Sequence, residues 1–329
     1  MGANIQDVAN KAGVSVTTVS RIMNNRGSIS DKTRQKVQNA MQELNYFPNQ
    51  LAINLFKKRT QLVGLIVPDV SHSFFATEIK YIERSLHIKD YKLILCNPED
   101  DNNREKEYLD MLQCNKVDGI IIASHTLDLE DYEKVMLPIV ALDRYLGKHI
   151  PVISSDHEQG GRLAALELIQ NGCKKVIQIK GYSAVPTPSN ERNSTFKKTM
   201  DEYGICCKTY ELPLNSFSFH GYIDYVTHIL FSDREIDGVF AVDNVACAVS
   251  KVAGNLDIHI PNQLKIVGYD GTDLALIPNK ALTTIRQDIS KLATATVDLL
   301  LSLIEGEVSY ESNTHIKIPV SLEKNETTL

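Results

Sequence analysis

From Leu62 onward, short apolar runs alternate with amphipathic stretches, and that alternation restricts most of the chain to a parallel, doubly wound α/β architecture. The runs at 63–67, 93–95, 117–123 and 139–142 read as buried strands, separated by helices such as 76–88 and 104–113. The pattern resumes with strands at 176–179, 236–242, 264–269 and 283–285 and with helices near 160–170, 245–253 and 290–304. The segment Val117-Asp118-Gly119-Ile120-Ile121 returns as Ile236-Asp237-Gly238-Val239-Phe240, which predicts two similar lobes. Ligands of such sheets bind beyond the carboxyl ends of the strands, so two lobes imply a cleft between them.

The residues before Leu62 follow another pattern. Ile5, Val8, Ala9 and Ala12 share one helical face, with Asn4 as N-cap and Gly13 as stop. A second helix follows a tight Gly13-Val14-Ser15 turn: Ser15 caps it, and Val19, Ile22 and Met23 face inward with Val14. A third opens at Ser30-Asp31 and buries Val37, Ala40, Met41 and Leu44. Three short helices around one small core also suit a general interaction domain. The second helix, however, turns outward Thr17, Ser20, Arg21 and Asn24, a small polar face with no acidic residue. Short side chains let a helix approach base edges, and Arg bonds guanine or phosphate. Val16, apolar in an exposed first turn, suits a thymine methyl.

Charge divides the chain the same way. Residues 1–59 hold nine basic side chains (Lys11, Arg21, Arg26, Lys32, Arg34, Lys36, Lys57, Lys58, Arg59) against three acidic ones (Asp7, Asp31, Glu43). A head of +6 therefore sits on a remainder of −12 in a chain of net charge −6. A head that meets phosphates and a body that avoids them fit that asymmetry.

In the acidic body, polar residues at strand ends are the candidate cleft groups. Asp69 follows the first strand, Asp143-Arg144 the fourth, Asp243 the strand at 236–242 and Asp270 the strand at 264–269. Carboxylates and an arginine converging on a cleft suit a polyhydroxylated ligand, whose buried hydroxyls each need a partner. Phe74 can stack on the apolar face of a sugar. Each aspartate alone also serves as a helix cap or loop residue.

Catalytic apparatus is not evident. No Gly-x-Gly-x-x-Gly follows the first strand, and neither a phosphate-binding Gly-x-x-x-x-Gly-Lys-Ser/Thr nor a Gly-x-Ser-x-Gly elbow occurs. The six cysteines show no Cys-x-x-Cys pair and no zinc-finger spacing to histidine, so no metal is expected. They read as reduced thiols, with Cys206-Cys207 a candidate redox pair. No apolar run reaches the ~18 residues that span a bilayer, and no secretory leader opens the chain, so a cytoplasmic location is expected. The absent leader and the basic head also weigh against a transport binding protein.

The run from Ile5 through Arg21, followed by Asn24-Asn25, resembles the signature of the LacI/GalR family of transcriptional repressors. Further on, Leu44-Asn45-Tyr46-Phe47-Pro48-Asn49, then Ala52 and Leu55, resembles that family's hinge segment. The likeness extends over essentially the whole chain. It implies a helix-turn-helix head at 1–47, a hinge helix and linker at 48–60, and a two-lobed, periplasmic-binding-protein-like body at 61–329 that binds effector and dimerises. It also implies DNA contacts from Ser15, Val16, Thr17, Thr18, Arg21 and Asn24, and from Tyr46, Asn49, Ala52 and Leu55. Val16, Thr17 and Arg21 would read bases, and Leu55 would wedge into the minor groove and kink the duplex. A hinge so short is marginal alone and should fold only against DNA and a partner hinge; read without the upstream motif, it is a plain linker.

In the body, Gly268-Tyr269-Asp270, Arg192 of Arg192-x-x-x-Phe196, and Thr283-Thr284-Ile285-x-Gln287 resemble family cleft elements. Asp156 with Gly160-Gly161-x-x-Ala164 resembles a further signature at a helix start. The implied effector contacts are Asp69, Phe74, Asp143, Arg144, Arg192, Asp243, Asp270 and Gln287. Two departures touch the pocket: His72-Ser73-Phe74-Phe75 stands for the usual Asn-Pro-Phe-Phe, and Val242-Asp243 for Asn-Asp. Asp143-Arg144-Tyr145-Leu146 with Cys96-Asn97-Pro98-Glu99-Asp100-Asp101 is similar to the sucrose-operon branch, although ribose and other sugar regulators share much of the pattern and a purine-type corepressor-dependent regulator is a further alternative. The expected partners are a near-palindromic double-stranded operator, a second copy of the chain and a sugar or sugar-phosphate effector that releases DNA, with no cofactor and no membrane. No heptad-patterned helix follows Lys324, so a dimer is expected over a tetramer.

Overall fold

The computed structural model describes residues 3–23, 27–47, 59–99, 101–124, 129–182, 185–213, 218–307 and 314–329. The chain divides into two compact units, Met1–Gln61 and Leu62–Leu329.

The first unit holds α1 (Ile5–Ala12), α2 (Val16–Met23) and α3 (Asp31–Glu43). Asn4 starts α1 through a reciprocal capping box: its side chain accepts the Gln6 and Asp7 amides, and the Asp7 carboxylate accepts the Asn4 N–H. Gly13 ends α1 at φ 66°, a left-handed conformation that costs glycine little. Ser15 Oγ then accepts the Thr18 amide at 3.1 Å and starts α2. Val8, Ala9, Ala12, Val19, Ile22, Val37 and Ala40 form the core of this unit. Val16 differs from the expectation of an exposed side chain. It lies one turn ahead of buried Val19, shares its face, and is half-buried against that core.

The second unit begins with β1 (Leu62–Ile66), α4 (Ser73–Ile88), β2 (Lys92–Cys96), α5 (Asn102–Cys114), β3 (Gly119–Ile122), α6 (Leu129–Glu133), β4 (Ile139–Leu142) and β5 (Val152–Ser155), all in a first lobe. The chain crosses to a second lobe for α7 (His157–Gln170), β6 (Lys175–Lys180), α8 (Asn190–Glu202), β7 (Cys206–Glu211), α9 (Phe219–Ser232), β8 (Gly238–Ala241), α10 (Asp243–Asn255), β9 (Lys265–Asp270) and β10 (Thr283–Gln287). It returns through α11 (Ile289–Glu305) to β11 (His315–Ile318), then crosses again to β12 (Val320–Glu323). The sheets run β11-β5-β4-β3-β1-β2 and β12-β10-β9-β8-β6-β7. All neighbours are parallel except β10 and β12.

Helices cover both faces of each sheet, which is why central strands such as β3 read as unbroken apolar runs. Strand order reverses between β1 and β3 and between β6 and β8. The loops leaving those strands diverge there and open a crevice. The repeated Asp-Gly pair enters β3 and β8, the equivalent strands of the two lobes; Asp237 fixes its strand by accepting the Lys174 and Lys175 amides at 2.8 and 2.9 Å.

Sequence reasoning missed four strands. β5, β7, β11 and β12 escape the apolar-run criterion because β5 ends in two serines, β7 is a half-exposed edge and the last two mix polar with apolar residues. The cysteines are all free. Cys206 and Cys207 are consecutive on β7, so their side chains point to opposite faces, one exposed and one buried, which removes the candidate redox pair.

Candidate functional site

In the head, the outward side of α2 carries Thr17 and Arg21 as its exposed side chains, with Thr18 and Ser20 half-buried. The Ser15 and Thr18 hydroxyls lie 2.9 Å apart, so the cap orders the start of this face. No acidic residue lies in the first turn of α2, and Arg21 stands in its last. Tyr46 is half-buried on the head's core, its amide donating to the Met41 carbonyl at 2.9 Å. Asn24, Asn49, Ala52 and Leu55 lie outside the described residues.

In the body, a cavity of about 420 Å³ opens between the lobes at the strand carboxyl ends. Six of the eight sequence-derived candidates line it: Phe74, Asp143 and Arg144 from the first lobe, and Arg192, Asp270 and Gln287 from the second. The other two are turned to structural use. Asp69 Oδ1 accepts the Ser71 amide at 2.7 Å and closes its own turn. Asp243 is wholly buried behind the wall: Oδ2 accepts the Gly271 and Thr272 amides, and Oδ1 accepts the Thr284 hydroxyl at 2.7 Å. It pins the loop after β9 to β10, and its predecessor Val242 meets the cavity instead.

Both cavity aspartates end a strand on a positive-φ backbone, Asp143 at 55° and Asp270 at 126°. Such conformations cost a non-glycine residue about 1–3 kcal/mol and cluster where function needs them. Burial pushes the Asp143 carboxyl up, but His157, Arg144 and Arg192 outweigh it and hold the group below the ordinary carboxylate range. Burial pushes Asp270 up to about 7 against the pull of Arg192 and of the Gln287 amide, which donates to its Oδ1 at 2.8 Å. Its other oxygen, Oδ2, is buried without a partner among the described residues. Burial likewise drives His72 down to about 4. The wall thus carries two guanidinium groups, one firm carboxylate and one carboxyl that readily keeps its proton.

Sequence reasoning missed much of the remaining wall. Phe75, Tyr182 and Tyr222 add aromatic surface, while Asn190 and Asn193 come from the first turns of α8. Only the fold brings these together. Aromatic faces interleaved with amide, hydroxyl and paired charged groups suit a ligand with apolar C–H faces and many hydroxyls. Among the described residues no group of three His, Cys, Asp or Glu could hold a metal ion, and no helix is long and apolar enough to cross a membrane.

Two family profiles match the chain. Residues 4–49 match bacterial regulatory proteins of the lacI family, and residues 60–326 match the periplasmic binding proteins and sugar binding domain of the LacI family. The sucrose operon repressor of Streptococcus mutans is 42% identical over 93% of this chain and 94% of its own. The ribose operon repressor of Halalkalibacterium halodurans is 36% identical over 98% and 96%. Among solved structures, the Lac repressor dimer bound to operator and the anti-inducer ONPF superposes with a TM-score of 0.86 at 26% identity, covering 100% of both chains. The chain belongs to the LacI family of bacterial regulatory proteins, non-catalytic regulators in which a DNA-binding helical head precedes a two-lobed, sugar-binding body.

Proposed function

We propose that this regulator is the repressor of a sucrose-utilisation operon. It binds a near-palindromic operator as a homodimer and leaves it when a sugar fills the interlobe cleft. The carrying observation is the cavity itself: Asp143 and Arg144 from one lobe meet Arg192 and Asp270 from the other, with aromatic side chains between them. A ligand held by both lobes favours one arrangement of them, and in a dimer that arrangement biases the spacing of the heads. Likeness to a sucrose operon repressor at 42% identity supports sucrose as the signal. The relative at 36% identity supports ribose as a second reading.

On this reading residues 1–47 bind DNA, 48–60 form the hinge and 61–329 sense and dimerise. Thr17 and Arg21 read base edges beside Val16, Asn24 and the capped start of α2. Leu55, with Asn49 and Ala52, wedges the minor groove. Phe74, Asp143, Arg144, Arg192, Asp270 and Gln287 hold the sugar. Titrating a labelled palindromic operator with the protein, then adding sucrose, fructose, ribose or their phosphates, tests the reading. Release by sucrose alone or most strongly is expected. Release by ribose only would move the assignment to the second reading, and tighter operator binding with any sugar would reverse the proposed sign.

A further inference from the structure

His157 is the first residue of α7, directly after the first crossing between lobes, and only 1% of it is exposed. Its Nε2 lies 2.8 Å from Asp143 Oδ1, in the first lobe. Its Nδ1 lies 2.8 Å from the hydroxyl of Tyr269, on β9 in the second. An ionised carboxylate only accepts, so Nε2 carries a proton toward Asp143, and Nδ1 shares the second hydrogen bond with the Tyr269 hydroxyl. The Tyr269 ring in turn carries the Arg192 guanidinium over its face, 4.5 Å from the centroid. One imidazole therefore links the charged groups that the two lobes present to the cavity.

The backbone around it leaves no slack. A Cβ on Gly160 would stand 2.6 Å from the Tyr269 hydroxyl, and one on Gly161 would stand 2.2 Å from the Arg192 carbonyl oxygen. The glycine pair lets the first turn of α7 lie directly on both residues. This gives the Gly160-Gly161 element a physical purpose. The ends of the Asp143–His157–Tyr269 chain belong to different lobes, so a change in the lobe arrangement must stretch or break it.

We propose that His157 is a positioning residue: without touching the effector, it sets Asp143 and, through Tyr269, Arg192 in register, and so ties the grip on a sugar to one arrangement of the lobes. The proposal rests on the reading of the cleft as the sugar site. Its structural half, that a change at Tyr269 is felt across the cleft at Asp143, stands apart from the identity of the sugar.

The test uses the full-length protein and the Tyr269→Phe variant, which loses the hydroxyl but keeps the ring beneath Arg192. Amide hydrogen exchange is followed in peptides covering 141–147 of the first lobe, with cooperative thermal unfolding as the folding control. Exchange across 141–147 is expected to rise about tenfold, the effect of one lost buried hydrogen bond. Sucrose affinity is expected to fall by about the same factor, and the variant with His157→Phe added should lose little more, because both changes break one chain. Unchanged exchange at 141–147 in a folded Tyr269→Phe protein overturns the proposal. If sucrose, fructose and ribose all fail to bind the unmodified protein, the sugar reading falls, while the exchange comparison still decides the role of His157. A folded His157→Phe variant, which offers neither donor nor acceptor, with exchange and affinity at the unmodified level would also overturn it.

Discussion

Ser73 in the first turn of α4 donates its hydroxyl to Asn244 Oδ1 in the first turn of α10, 2.5 Å away and in the opposite lobe. The Tyr145 hydroxyl meets Glu191 at 3.2 Å, and Glu191 also pairs with Lys317 at 2.8 Å, so a second clasp joins the lobes elsewhere on the rim. These contacts tie the two lobes to each other. Ser73→Ala removes one donor from a half-exposed site, worth about 0.5–1.5 kcal/mol. Sugar affinity should therefore drop roughly two- to tenfold in calorimetric titration, with operator affinity retained. An unaltered sugar affinity would mean that this contact does not belong to the ligand-bound arrangement.

Asp243 and Asp270 look alike in the sequence, each ending an apolar strand, yet they call for opposite outcomes. Asp243→Ala strands the Gly271 and Thr272 amides and the Thr284 hydroxyl in the interior. A loss of about 3 kcal/mol or more is expected in denaturant unfolding. Asp270→Asn, which has no charge to bury, should not lower stability and should abolish release of the operator by sugar. Equal loss of stability in both variants would contradict the division drawn between them.

That pair also shows where the sequence is legible and where it is not. Strand-end position identified Asp143, Arg144 and Asp270 on the cavity wall, because a parallel sheet delivers every strand's carboxyl end to the same edge, while Arg192 and Gln287 were legible only through the family resemblance. It could not tell a carboxylate facing the cavity from one folded back on backbone amides, since that depends on a loop's path after the strand. The head was legible down to its caps, Asn4, Gly13 and Ser15, because capping is local in sequence. His157 and Tyr222 were invisible for the opposite reason: their partners lie far along the chain, and nothing at either position marks a link.

Glu78 on α4 is wholly buried, with neither carboxylate oxygen partnered among the described residues. Burial, reinforced by Asp143 and Asp270 and opposed by Arg144, raises its pKa well above the ordinary 4.5. A raised folded-state value means that the folded protein holds a proton the unfolded chain has released. Stability is thus full below about pH 4.5 and is lost as pH climbs toward the folded value. Asp270 acts in the same direction up to about pH 7. The unmodified protein should melt lower at pH 8 than at pH 5, and Glu78→Gln, which cannot ionise, should shrink that drop by about 2 °C or more. Parallel melting curves for the two proteins across this range would refute the assignment.

Arg21 closes the outward face of α2, exposed and in the last turn, where its long side chain can reach past the helix to a base or a phosphate. The two targets differ in their signature. If Arg21 bonds a guanine, Arg21→Ala should cost about 1–3 kcal/mol on the best operator, relax preference at one base pair per half-site and leave the slope of affinity against salt nearly unchanged. A phosphate contact instead weakens binding to all sequences alike and flattens the salt slope by about one ion. Thr17, one turn earlier on the same face, supplies the comparison, since a neutral side chain contributes little to the salt slope. The base-reading assignment predicts relaxed specificity for both Arg21→Ala and Thr17→Ala. Uniform weakening with a reduced slope in Arg21→Ala would make this arginine an anchor on the backbone and leave base reading to the shorter side chains of α2.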